Sequence, residues 1–319
     1  MKKFLITGVS GFVGQHFIDY LEATGAKAHV LGVDLVENKS GRFCADVTQS
    51  FKQVDLLNGH EIESVLFEFQ PDYVLHLASY SSVAFSWKEP VLSVQNNMNV
   101  FLNLVEAIRR LGLKTRLLSV GSSEVYGNIN QDHLPLVEEA PLDPVSPYAV
   151  ARVSQELLSK VYAEAYGVDL VITRSFNHIG TGQKDIFVIS SFAKQIAEIK
   201  KSGRKKGVLS TGDLQIVRDF LDVRDVVRAY YLLLTQGKKG RIYNVCSGEG
   251  HALRQVLDEL ASIAGVETST KLNPAFVRPS DNSVIIGSNK RIYADLGWRP
   301  NISFQQSLKD IYIYWEDLV

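Results

Sequence analysis

"TGVSGFVG", residues 7–14, decides the fold. It follows the apolar run Phe4–Ile6 without a gap and sets Gly8, Gly11 and Gly14 at GxxGxxG spacing before a stretch of helical periodicity. Glycines between a first strand and a first helix allow a tight turn and close approach of the backbone to a pyrophosphate, whose charge then sits at the helix N-terminus. The spacing therefore predicts a dinucleotide site, with Phe12 and Val13 opening the helix against it.

Outward from that turn, "VLGVDL" ends a second strand at Asp34, about 20 residues beyond the glycines, where a carboxylate accepts hydrogen bonds from the adenosine ribose. A carboxylate there repels a 2′-phosphate, so the expected cofactor is NAD rather than NADP. Asp55 in "VDLL", with Leu56 beside it, is expected near the adenine amino group. Further apolar runs at 29–33, 73–78, 116–120 and 170–175 alternate with helical stretches at 91–111 and 148–166, which is the pattern of βαβ units and a doubly wound parallel sheet. The fold class is α/β, with a Rossmann-type domain over 1–175 and a smaller mixed lobe over 176–319, some of whose elements return to the first domain.

The 319 residues are 45% hydrophobic, and 34 basic against 35 acidic side chains leave a formal charge of -1. No global field draws in nucleic acid or an anionic membrane, so any anion must be held by local groups. Cys44 and Cys246 suit buried thiols of a reducing compartment, having neither a bridging framework nor metal-ligand spacing, and no metal is expected. The basic start "MKK" leads into an apolar run that stops at Thr7, and no stretch approaches the roughly 18 apolar residues of a membrane span, so a cytoplasmic protein is expected. The basic run "KKSGRKKG" at 200–207 reads as a solvated turn.

Strand "RLLSV" runs into "GSSEVYG", which sets Ser122, Ser123 and Glu124 at a carboxyl strand end, where such sheets bind ligands. About 25 residues on, "SPYAVAR" places Tyr148 and Arg152 four apart on one helix face. A phenol exchanges a proton near neutral pH with the help of a nearby cation, and a serine hydroxyl can hold the reacting oxygen beside it.

These motifs, with "HLAS" at 76–79, Asn97, "RSFNHIGTGQ" at 174–183, "RDFLDVRDVVRAY" at 218–230, "YNVCSG" at 243–248 and "RPSDNSVIIGSNKR" at 278–291, resemble the extended short-chain dehydrogenase/reductases over essentially the whole chain. The branch is the one acting on nucleotide sugars, and the likeness is strongest to GDP-4-keto-6-deoxy-mannose reductases and GDP-sugar 4,6-dehydratases. The resemblance implies catalytic roles for Ser122, Glu124, Tyr148 and Arg152, with Tyr148 and Arg152 also at the cofactor, and Leu77 and Ala78 lining it. It departs from the family's YxxxK, since arginine keeps the charge but does not release a proton as a lysine relay can. By the same resemblance Arg218 and Arg278 pair with the diphosphate, Asn177 anchors, Asp281 holds the nucleoside ribose, Lys194 faces the base, and Ser123 lies on the substrate side. His178 is expected to staple its loop rather than to react.

A 4,6-dehydratase takes hydride from C4, eliminates water across C5 and C6 and returns the hydride to C6, whereas a reductase only reduces a ready-made 4-keto group. In the resemblance Glu124 is the elimination base and Asp34 suits a self-recycling NAD, so the leading expectation is an NAD-dependent dehydratase of a GDP-linked hexose, GDP-mannose or GDP-N-acetylglucosamine. The reductase is the first alternative. The second, prompted by Arg152, is a nucleotide-sugar-binding protein without catalysis. The helices over 97–111 and 148–166 are expected to pair with a second subunit as a four-helix bundle, in a homodimer or homotetramer.

Overall fold

The glycine turn emerges as drawn from the sequence: β1 (Lys2–Thr7) leads through it into α1 (Phe12–Ala23) and β2 (Ala28–Asp34). The structure, a computed structural model, describes residues 1–37, 47–277 and 282–319. The chain continues through β3 (Val47–Gln53), α2 (Gly59–Phe69), β4 (Tyr73–His76), α3 (Val83–Lys88), α4 (Pro90–Arg110), β5 (Arg116–Ser122), α5 (Pro147–Glu164) and β6 (Asp169–Ser175). Then follow β7 (Asn177–Ile179), α6 (Val188–Lys201), β8 (Lys206–Thr211), β9 (Val217–Asp222), α7 (Val223–Gln236), β10 (Ile242–Val245) and β11 (Gly250–Ala252). The last elements are α8 (Leu253–Ala264), β12 (Glu267–Leu272), β13 (Val284–Ile285), α9 (Lys290–Leu296) and α10 (Phe304–Leu318).

Seven strands form one parallel sheet in the order β10-β6-β5-β4-β1-β2-β3. The chain winds from β1 to one side and from β4 to the other, so the β1/β4 boundary is the switch point, and ligands of such sheets bind in the crevice beyond it. Both faces are covered. On one side Phe17, Leu21, Val226, Tyr230 and Leu233 of α1 and α7 enclose Phe4, Ile6 and Leu118; on the other Leu66, Phe101, Leu104 and Tyr162 of α2, α4 and α5 enclose Leu5, Val74 and Leu117. Burial on both faces explains why the inner strands read as unbroken apolar runs. The edge strand β3 was invisible to that criterion: "VTQSFKQ" buries only Val47 fully and shows its other side chains wholly or partly to solvent.

The smaller lobe is built on β9, which pairs with β7 and β13 in parallel and with β11 antiparallel, and on a separate β8–β12 pair. Its core, with Ile196, Leu257, Leu260 and Leu308 at its centre, lies among α6, α8 and α10. The basic run at 200–207 sits at its rim, where Lys200 pairs with Glu316 and Lys206 with Glu267. Among the described residues no helix is long and apolar enough to cross a membrane.

Candidate active site

Gly8 adopts φ +69°, and a Cβ on it would lie 2.8 Å from the Ala78 amide nitrogen. The first turn thus touches the loop after β4 across the switch point, a contact that only glycine permits. A Cβ on Gly14 would meet the Val9 carbonyl oxygen at 2.5 Å, so this glycine lets α1 close onto the turn. Gly11 is the N-cap of α1, and no side chain caps that helix. Its uncapped amides and the space a Cβ would fill fit a pyrophosphate of a dinucleotide.

Thr7, the last residue of β1, organises the opposite wall: its Oγ1 accepts from the Leu77 amide at 3.1 Å and the Ala78 amide at 3.2 Å, and lies 2.8 Å from His76 Nδ1. His76 is fully buried, and desolvation, helped by the nearby Arg152 charge, pulls its pKa down to about 3. At the end of β2, Asp34 receives the Ser10 amide at 3.0 Å on Oδ2 and the Leu35 amide at 2.7 Å on Oδ1. The Ser10 hydroxyl donates to the Val36 carbonyl at 2.7 Å, strapping the glycine turn to β2. Asp55 is exposed and receives the Leu57 amide, whereas Leu56 is buried at 6% exposure and its carbonyl accepts from Asn103.

Across the crevice Ser122 ends β5 and its Oγ accepts the Glu124 amide at 3.2 Å, winding Ser123–Tyr126 into a 3₁₀ turn. Ser122 and Ser123 are buried and Glu124 is half-buried. Ser146 caps α5 by accepting the Ala149 amide at 3.1 Å, and Pro147 occupies its first turn, so "SPYA" starts the helix beside the β5 end. Tyr148 and Arg152 share the face that looks back at the strand: the guanidinium carbon lies 5.1 Å from the phenol ring centre. Glu156, one turn further, forms a buried pair of 2.8 Å hydrogen bonds with Arg174 of β6 and fixes the helix to the sheet.

Beneath lies a set of groups that sequence reasoning missed. Arg152 Nη1 donates to Gln155 Oε1 at 2.6 Å and to the Val120 carbonyl at 3.2 Å, while Nη2 donates to Ser79 Oγ at 2.5 Å. Gln155 lies three residues beyond Arg152 on the same helix, and that spacing was the available signal. Tyr230 was also missed. Its hydroxyl is 2.7 Å from Ser175 Oγ and 3.1 Å from His178 Nε2, and burial pushes its pKa above the usual phenol range. The His178 side chain is therefore tied to α7 rather than to its own loop, unlike the staple expected from the sequence, and burial pulls it down to about 4.

The expected substrate residues divide. Asn177 is half-buried and donates to the Asp219 carbonyl. Arg218 is buried and its Nη1 donates to the carbonyls of Val217 and Asn282. Asn282 is the first described residue after the segment that holds Arg278 and Asp281, and those two lie outside the described residues, as does Cys44. Lys194 pairs with Asp185 at 2.6 Å and lies over Trp315 of α10, neither of which belongs to the Ser122–Tyr148 cluster. Cys246 is a free buried thiol whose pKa burial drives up. The unanticipated anchor of this lobe is buried Asp219, whose carboxylate accepts from the Ser247 amide and hydroxyl and the amides of Gly248 and Gly287.

The relatives share this architecture end to end. GDP-6-deoxy-D-mannose reductase of Pseudomonas aeruginosa is 36% identical over 100% of this chain and 98% of its own. GDP-mannose 4,6-dehydratase of Vibrio cholerae is 27% identical over 97% of this chain and 92% of its own. Among solved structures, RMD from Pseudomonas aeruginosa complexed with NADPH has a TM-score of 0.86 at 35% identity, covering all of both chains. UDP-glucose 4-epimerase of Thermus thermophilus in complex with NAD has a TM-score of 0.84 at 31% identity, over 99% of this chain and 100% of its own. With the sequence profile of GDP-mannose 4,6 dehydratase matching residues 5–311, the chain belongs to the GDP-mannose 4,6-dehydratase family.

Proposed function

We propose that the protein is an NAD-dependent 4,6-dehydratase of a GDP-linked hexose, GDP-mannose or GDP-N-acetylglucosamine. The observation that carries the reading is the half-buried Glu124 in the turn that Ser122 caps: elimination of water needs a carboxylate near the C4 machinery, and reduction does not. Bound at the glycine turn, NAD would accept a hydride from C4 and return it at C6. The chain's own residues handle the protons. Tyr148 takes the C4 hydroxyl proton and later releases it to solvent, Ser122 holds the oxygen, and Arg152 supplies the fixed positive charge beside the phenol. Glu124 removes the C5 proton, delivers it to the departing C6 oxygen, and relays a solvent proton back to C5 as the hydride returns at C6. One water leaves and the product is a GDP-4-keto-6-deoxyhexose.

The choice of NAD is supported by Ser10: its amide, a donor that a 2′-phosphate would need at this turn, already serves the Asp34 carboxylate. Arg218, together with Arg278 and Asp281, is assigned to the GDP moiety. Val150, Leu157 and Val161 fall on one stripe of α5 at 45, 50 and 50% exposure, which supports a homodimer through α4 and α5. The second reading, a GDP-4-keto-6-deoxyhexose reductase, is favoured by the 36% identical reductase. Cofactor balance separates the two: the dehydratase turns over many equivalents of GDP-hexose on one equivalent of NAD, and the reductase consumes one reduced cofactor for each sugar.

A further inference from the structure

We propose that Gln155 is a positioning residue that holds the Arg152 guanidinium against Tyr148, and that Gln155, Ser119 and Ser79 form a cradle built for arginine rather than lysine. The inference deepens the reading above and rests on Tyr148 and Arg152 being its catalytic pair. A guanidinium carries five N–H donors in a planar fork. Both Nη1 protons are taken, one by Gln155 Oε1 at 2.6 Å and one by the Val120 carbonyl at 3.2 Å, and one Nη2 proton goes to Ser79 Oγ at 2.5 Å. The Nε–H is buried without an acceptor among the described residues, leaving a donor beside the phenol for a ligand oxygen.

The amide orientation of Gln155 follows from its partners. Its Nε2 lies 2.9 Å from Ser119 Oγ and 3.2 Å from the Val120 carbonyl, so the opposite orientation would set oxygen against oxygen and donor against donor. Ser159 closes the chain 3.0 Å from Ser119 Oγ. Ser119, Gln155 and Ser159 are at most 1% exposed, so no solvent competes for these bonds. The fork spans two elements, reaching the β5 backbone with one nitrogen and the loop after β4 with the other. An ammonium would have to serve both ends from one nitrogen, where the guanidinium uses two.

The test is a double-mutant cycle of Gln155→Leu and Arg152→Lys, read on kcat, on KM for the GDP-sugar and on NAD affinity by fluorescence titration. With Arg152 present, Gln155→Leu should lower kcat about tenfold and weaken NAD binding, with KM changed less than about twofold. In the Arg152→Lys background the same substitution should change each quantity less than about twofold, the non-additivity expected of groups in one network. Equal effects in the two backgrounds, or no effect beside Arg152, would overturn the proposal. If Gln155→Leu does not fold, Ser119→Ala, which frees the far end of the amide and the Ser159 hydroxyl but leaves the Gln155–Arg152 bond in place, carries the same cycle. NAD affinity is indifferent to the reaction: coupling in affinity without dehydration would retire the dehydratase and keep the cradle, and dehydration without coupling would do the reverse.

Discussion

At position 152 an arginine stands where the family motif has lysine, and its surroundings hold the guanidinium at both ends. A cradle of Gln155, Ser79 and the Val120 carbonyl accounts for three of the guanidinium's five donors, so Arg152→Lys should reduce turnover about tenfold or more rather than revive it, with the thermal midpoint measured alongside. A rise in turnover would favour the non-catalytic reading of the wild type. Asp34 makes a second residue-level prediction: Asp34→Ser frees the Ser10 amide and removes a like charge worth several kcal/mol against a 2′-phosphate. The preference for NAD over NADP, measured as a ratio of dissociation constants, should fall on the order of 100-fold. The places of Gly8, Asp34, Ser122, Glu124 and Tyr148 on their elements were legible because each depends on local spacing. Gln155 and Tyr230 were not, because their partners Ser79, Ser119 and Ser175 come from distant parts of the chain.

At the scale of elements, β4 carries a buried histidine and β7 a half-buried one, and the two make stability pH-dependent. Burial holds His76 at about 3 and His178 at about 4, while an unfolded histidine takes a proton below about 6.5. Below that pH the unfolded chain binds more protons, so stability falls with pH by about 1.4 kcal/mol per unit for each histidine, down to about 4 for His178 and about 3 for His76. Above 6.5 neither contributes a slope. Urea midpoints of the wild type and His178→Gln between pH 7 and 5 check this: the variant should lose the share of the slope that His178 supplies, while His76 and His251, also held down by burial, keep theirs, whatever its midpoint at neutral pH. The elements themselves were legible where burial is two-sided, as in β1, β4 and β5. The edge strand β3 escaped because its outward residues are polar, and the short strands of the smaller lobe escaped because their pairing around β9 joins segments far apart in sequence.

For the whole molecule, the doubly wound order was implied by the alternation of runs and helices, and the sheet carries it. The quaternary expectation is more exposed to test. Leu157→Arg places a charge in the middle of the α5 stripe and should raise the dimer dissociation constant roughly 30-fold, about 2 kcal/mol, in sedimentation equilibrium.

The central claim, that this chain dehydrates a GDP-linked hexose, is tested most directly by mass spectrometry of GDP-mannose and GDP-N-acetylglucosamine incubated with the protein and NAD in heavy water. A dehydratase should remove one water from one of them and leave a single solvent deuterium at C5, and Glu124→Gln should lower that rate about 10²–10⁴-fold. No loss of water from either sugar, together with consumption of reduced cofactor when a GDP-4-keto-6-deoxyhexose is supplied, would contradict it and assign the reductase.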